Sequence, residues 1–534
     1  VATLTYHRKP NGAVYVYWQE SYWDKSAKRS RTRQACIGKQ SEDGGIVYNK
    51  RFSDPAARKA LEQGATVAES ALTGQSLVLD AAMKATGLER VLRQALDART
   101  ADTLISLAWA VSAGAGPMYL ASVWIEQNEC PSHGRAPGSQ DISRVLASVS
   151  MSQVEGFCCA WMAHRNKGAR EQYCYDMTSI SSHSRQNPFV EWGHNRDREG
   201  LAQVNLALLT GCASRIPTYY EVLPGSMSDV STIRAFTERM RRSGAGRIRM
   251  LLDRGFYSAK NLGALLASGT GFLIPVPAHI KWARTLIDEC RDAVEMPEHL
   301  ISMAEDGRDA LYAMTSFGKM EGKRVWRHVY YDAARRSAHI ASFFASLKAW
   351  EEELTGGDTK KSNEWAYERY FTVTDTPKHG RQVRRNQDAV SAYKADRAGY
   401  WVILTNCEKN AKDALFAYRG RSLVESQFDE MKNELSLRRL RTHGPDTMRG
   451  RVLVQFLALI ITAQARVMMK DAWERRHEVP KRDRLARHYP LAEMMMRLST
   501  YRETRFAGQH GKVVSEPTRA QRAIFTAFGI KVKS

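Results

Sequence analysis

Between positions 418 and 432 the chain places Tyr418, Arg421, Glu425 and Lys432 at intervals of three, four and seven. At about 100° per residue, Arg421, Glu425 and Lys432 fall within roughly 40° of one another on a continuous helix, and Tyr418 joins them if that helix reaches back far enough. Such a group points to a carboxylate serving a phosphate. The adjoining stripe of Val424, Phe428, Met431 and Leu435 has the spacing of a buried face, so the helix is expected to pack by one edge and hold Glu425 beside it on rigid structure. Taken alone, Arg421 with Glu425, or Asp429 with Lys432, are pairs of the kind that decorate solvated helices for a few tenths of a kcal/mol. The complete four-residue spacing is more specific than either pair.

That tyrosine, arginine, glutamate, lysine pattern resembles the mark of the DDE transposases of bacterial insertion sequences, in the IS-four superfamily branch named for the motif. Such enzymes have two aspartates upstream of the glutamate, and two suitable ones are present. The run 171–176, Glu-Gln-Tyr-Cys-Tyr-Asp, reads as a short aromatic strand ending at Asp176. The run Arg247 to Leu252 reads as a strand ending at Asp253, followed by Arg254-Gly255-Phe256-Tyr257-Ser258. Gly255 predicts a turn there, and Ser258 a cap for a helix starting near Ala259. An aspartate at the carboxyl end of a buried strand stands where open α/β sheets bind ligands, and Asp-Arg-Gly-Phe-Tyr-Ser resembles the segment around the family's second catalytic aspartate.

The resemblance implies that Asp176, Asp253 and Glu425 are catalytic and hold two Mg²⁺ or Mn²⁺ ions, and that Tyr418, Arg421 and Lys432 hold DNA phosphates. In-line attack on a phosphodiester needs an activated oxygen nucleophile and a stabilised leaving oxygen, which a pair of ions about 3.5–4 Å apart supplies. Mg²⁺ prefers carboxylate oxygens and keeps several waters, so three acids suffice. The 14 histidines are scattered and the 8 cysteines contain no C-x-x-C pair, which argues against zinc. The resemblance also implies a tryptophan that stacks on a flipped base. The sequence does not choose among Trp282, Trp326, Trp350, Trp365 and Trp401.

These residues need elements to position them, and the pattern of the chain supplies a layout. With 534 residues, 43% of them hydrophobic, the chain can bury several cores. The expected class is α/β: an RNase H-like core, a fold name that comes from the resemblance, with a β-rich insertion, a helical N-terminal region and a basic helical C-terminal region. Residues 1–54 read as a small basic β unit, and 55–168 as helical. Within the latter, 139–150 and 152–164 read as a helix-turn-helix pair. Strands are expected near 171–176, 202–210, 216–223, 247–253 and 271–276, giving the first part of the core over 169–277. Residues 278–398 read as the insertion, with strands at 323–331 and 368–374 but a long helix at 332–354. The second part of the core, 399–470, carries the Glu425 helix, and 471–534 form the basic tail. Pro224-Gly225-Ser226-Met227-Ser228-Asp229 resembles a further family motif, which usually has asparagine where Ser226 stands.

Net charge is +22, and 14 of those charges sit at the two ends, 1–60 and 471–534. This favours a polyanionic partner. No signal peptide is recognised, and the longest apolar stretch, Val452 to Ala465, contains Gln455 and is flanked by arginines, which marks it as a core helix. Cysteines without a framework fit a reducing cytoplasm, and the resemblance adds a bacterial, nucleoid-associated location. The expected activity is cleavage at transposon ends followed by attack of the freed 3′ hydroxyl on target DNA, by a homodimer on double-stranded DNA. A structure-specific nuclease and a catalytically inactive DNA-binding repressor are the alternatives.

Overall fold

A computed structural model describes residues 2–10, 12–24, 28–41, 44–49, 67–166, 171–242, 248–302, 310–376, 380–395, 398–481, 483–506 and 511–532. Arg247 and residues 50–66 and 167–170, where the expected strand start and unit boundaries fall, lie outside them. The N-terminal β unit is an antiparallel sheet of β1 (Ala2–Arg8), β2 (Val14–Asp24), β3 (Arg29–Gln40) and β4 (Ile46–Tyr48), closed over Val16, Trp18 and Ile37. A further strand, β5 (Val67–Leu72), leads into a helical region. It opens with two helices, Gly74–Thr86 and Leu88–Ala95, separated because Gly87 adopts φ 72° and ends the first.

The centre of the molecule is a nine-stranded mixed sheet. Its strands in chain order are β6 (Gln172–Ser181), β7 (Gln203–Gly211), β8 (Pro217–Pro224), β9 (Arg249–Leu252), β10 (Gly271–Val276), β11 (Leu300–Ser302), β12 (Ala310–Met320) and β13 (Lys323–Tyr331), with β16 (Tyr400–Thr405) arriving after the hairpin of β14 (Phe371–Thr376) and β15 (Gly380–Arg385). Across the sheet the order is β11-β12-β13-β16-β10-β9-β6-β7-β8. Strands β6, β9 and β10 run parallel, and the other neighbours are antiparallel. All of β7 and all of β6 after Gln172 are buried, polar Asp176, Thr178, Ser179, Asn205 and Thr210 included, so neither strand shows the inside–outside alternation of a half-exposed one.

Helices pack around the sheet. Asp229–Arg242 packs against Ala259–Ser268, while Ser422–Asp429 lies across β6 and β7. The 30-residue helix Pro445–Glu474 is long and apolar enough to cross a membrane, but 78% of its apolar window is buried inside the fold. It is the core helix expected from the sequence. It packs against Ser139–Ser148, one of the two helices expected as a helix-turn-helix pair, at Gly450, where a Cβ would lie 2.2 Å from the Leu146 carbonyl oxygen.

Three expectations need correction. First, the segment 278–398 is not one β-rich insertion: β11, β12 and β13 extend the central sheet through β16, while a separate core forms among the described residues around Phe343, Leu347, Tyr367 and Tyr370. The strand expected at 368–374 begins at Phe371, since 364–370 form a helix. Second, the C-terminal region is not purely helical, because β17 (Arg502–Phe506) pairs with both β18 (Lys512–Val514) and the distant β5. Third, β6 runs on to Ser181, which places Asp176 within the strand where a strand end was expected.

Candidate active site

Parallel pairing brings the two aspartates together. Tyr175 on β6 is the partner of Leu252 on β9, so Asp176 and Asp253 are the next residues along on neighbouring strands. Each fixes one oxygen to the N–H of its own successor: Met177 N donates to Asp176 Oδ1 at 2.8 Å, and Arg254 N to Asp253 Oδ1 at 2.7 Å. The remaining oxygens face a common point. Arg421 Nη1 lies 3.5 Å from Asp176 Oδ2 and 3.6 Å from Asp253 Oδ2, and Arg421 Nη2 lies 2.7 Å from Glu425 Oε1. Three acids from two strands and a helix therefore surround one guanidinium.

Exposure grades across this group. The Asp176 side chain is 13% exposed, against 40% for Asp253 and 54% for Glu425. Burial pushes the Asp176 carboxyl up to about 6, although the N–H of Met177 and the charges of Arg196 and Arg421 pull it the other way.

The segment carrying the four-residue pattern is not the continuous helix that the spacing suggests. Tyr418 lies in the last turn of the helix Ala411–Arg419, the chain tightens at Gly420 and Arg421, and Glu425 sits in the new helix Ser422–Asp429. A π turn over Glu430–Glu434 follows, in which Leu435 N donates to the Glu430 carbonyl five residues back. The stripe of Val424, Phe428, Met431 and Leu435 is buried as expected. Tyr418 still faces Arg421, whose guanidinium carbon is 5.9 Å from the ring centre. Lys432 does not join the guanidinium: its Nζ reaches both oxygens of Asp197, at 2.9 and 2.7 Å. Gln427 anchors the helix, accepting from Thr210 Oγ1 on β7 at 2.5 Å and donating to the Arg215 carbonyl at 2.9 Å.

Sequence reasoning missed the loop between β6 and β7. In it Arg196 donates to the Met177 carbonyl and Asp197 meets Lys432. Loop contacts of this kind carry no periodic signal. The reading also left the tryptophan open. Trp401 lines a cavity of about 650 Å³ that includes Asp253, Arg254, Tyr418, Arg335 and Arg369, and its ring lies under the Arg335 guanidinium at 4.5 Å. A separate cluster, Glu69, Glu129 and His133, holds ligand atoms within 4.8 Å of one another, a convergence of acids and a histidine that sequence spacing did not reveal. Arg505 already pairs with both of its glutamates.

A family model described as a transposase DDE domain matches residues 167–461, a span that contains all six residues singled out in the sequence. The chain belongs to the DDE transposase family. Its affiliation is thus with transposition and mobile DNA. Among solved structures, this transposase family member is similar to a piggyBac transposase in a synaptic complex with hairpin DNA, at 8% identity and a TM-score of 0.32. The alignment covers 61% of this chain and 51% of that one, about half its length. No curated protein matches the chain.

Proposed function

We propose that this transposase cuts DNA at the ends of a mobile element and joins the freed 3′ hydroxyl to target DNA, with Asp176, Asp253 and Glu425 as its catalytic acids. The observation that carries the reading is the convergence of those three carboxylates on Arg421. Two oxygens each within 3.6 Å of the same nitrogen lie within about 7 Å of one another, a span suited to ions held roughly 3.5–4 Å apart. The donor set fits Mg²⁺ or Mn²⁺, being all oxygen, with each aspartate oriented by a backbone N–H. When bound, two such ions activate the attacking oxygen and stabilise the leaving one. Arg421 then becomes free to hold a phosphate, alongside Tyr418 and Lys432.

An RNase H-like core is supported by the order β8-β7-β6-β9-β10, in which three antiparallel strands adjoin two parallel ones, with the acids on the first strand, after the fourth and on a later helix. Trp401 is our choice for the base-stacking tryptophan, because its cavity opens beside Asp253 and Tyr418 and is rich in arginine. A homodimer on double-stranded DNA belongs to the same reading, since two ends must be cut and joined together.

The test is purified protein with end-sequence duplexes and Mg²⁺. Asp253→Ala is expected to bind end DNA and leave it uncut; retained Mg²⁺-dependent cleavage removes that aspartate from the mechanism. Cleavage by the wild type without any strand-transfer product would favour a nuclease.

A further inference from the structure

Beyond the carboxylates, three basic residues that follow Glu425, namely Lys432, Arg438 and Arg439, already face acids, and those acids come from one loop. Lys432 and Arg438 are adjacent through the backbone, Arg438 N donating to the Lys432 carbonyl at 3.1 Å. Arg439 forms a parallel bridge with Ser181 at the end of β6, and Leu440 N donates to the Ser181 carbonyl. These three cations therefore line the rim where β6 ends. Opposite them, residues 182–202 connect β6 to β7, far more chain than an antiparallel hairpin requires.

That loop brings acids to each cation in turn. Asp197 grips Lys432 with both oxygens, while Glu199 pairs with Arg439 and lies 3.6 Å from Arg438. Between these acids Arg198 is held at φ 54°, in the left-handed region. The loop's Arg196 meanwhile donates to the carbonyl of Met177, the residue after Asp176. Two carboxylates set on three cations offer them the kind of oxyanion that a backbone phosphate would bring.

Resting on the DNA reading above, we propose that Lys432, Arg438 and Arg439 form a track for consecutive DNA phosphates, and that Asp197 and Glu199 occupy this track in the free protein and are displaced when DNA binds. The cations thus exchange one set of oxyanions for another. DNA must outcompete the loop, so a strand able to occupy all three positions at once is favoured over one that reaches a single cation.

The test is equilibrium binding of a fluorescent duplex without divalent metal, which separates binding from cleavage. The double variant D197N/E199Q is expected to bind about tenfold more tightly than the wild type, a gain of about 1.4 kcal/mol. Unchanged or weaker binding overturns the proposal. Should the double variant misfold, D197N alone with K432A completes a cycle. Displacement predicts that the gain from D197N disappears when Lys432 is absent. A gain that persists in K432A comes from net charge alone and overturns it as well. A wild type that binds no duplex removes the DNA reading along with the track, whereas a binding wild type with an indifferent D197N/E199Q removes the track only.

Discussion

Asp176 and Asp253 stand side by side on parallel strands, each with Oδ1 tied to the following N–H and Oδ2 turned to Nη1 of Arg421. The sheet thereby fixes both aspartates before any ligand arrives, and Arg421 carries the compensating charge in the meantime.

Asp176→Asn follows from the burial of this carboxyl. A folded-state value of about 6, above the ordinary 3.8, means that the folded protein binds the proton more tightly than the unfolded chain does. The associated stability is complete below about pH 4 and lost as pH rises through about 6, at a cost on the order of 2–3 kcal/mol by pH 8. D176N is therefore expected to raise the Tm of the metal-free protein at pH 8, to leave it nearly unchanged at pH 4, and to abolish cleavage. Thermal unfolding in EDTA at the two pH values checks this.

Removing the shared cation has the opposite sign. Arg421→Ala leaves three acids facing one another and should cost about 1–2 kcal/mol at pH 8 without metal, after allowing for partial solvation of the site. The loss should shrink at pH 5, where Asp176 is mostly protonated. Added Mg²⁺ should recover more Tm in R421A than in the wild type, as differential scanning fluorimetry would read.

Glu425 and Asp429 are the two acids of the same helix, and the structure separates them. Glu425 turns to Arg421, whereas Asp429 accepts from Asn433 Nδ2 at 2.6 Å. E425Q should lower cleavage at least about a hundredfold, the scale on which metal sites lose activity when perturbed. D429N assayed beside it should stay within a few-fold of wild type.

Gln427→Leu removes the clamp on the Glu425 helix and strands the Thr210 hydroxyl and the Arg215 carbonyl inside the fold. A loss of about 1–3 kcal/mol is expected for such unsatisfied groups, readable by urea denaturation. At saturating DNA its kcat should fall more than its apparent DNA affinity.

Gly450→Ala tests the seam between the helix Ser139–Ser148 and the core helix Pro445–Glu474. The added Cβ would press on the Leu146 backbone at 2.2 Å and 2.6 Å, atoms that yield only if the helices part. We expect a loss of about 3 kcal/mol, again by urea denaturation.

Much of the local structure around the candidate site was legible in the sequence for reasons particular to each element. Strand β10 at 271–276, strand β13 at 323–331 and the Ser258-capped helix follow their local patterns because apolar runs, glycine and a capping hydroxyl act within a few residues. The buried stripe beside Glu425 followed helical spacing. Lys432 did not, since the π turn after Asp429 breaks the 100° rule on which its placement relied. Asp176 was read as the end of a short aromatic strand, yet long-range pairing with β7 carries the strand on through the polar Thr178, Ser179 and Ser181. The pairing of Asp197 with Lys432 joins positions 235 residues apart, and the union of β5 with β17 spans nearly the whole chain. Neither leaves a local trace.

That union has an implication for how such genes decay. Strand β17 is translated long after Glu425, the last of the three acids, yet its hydrogen bonds complete the edge of β5, beside the helices that clasp Pro445–Glu474. A frameshift falling late in the reading frame would spare every acid proposed to be catalytic and still yield a product with a raw, adhesive β edge near its beginning, prone to aggregation. An intact acidic triad in a degraded gene copy is therefore no sign that its protein remains usable.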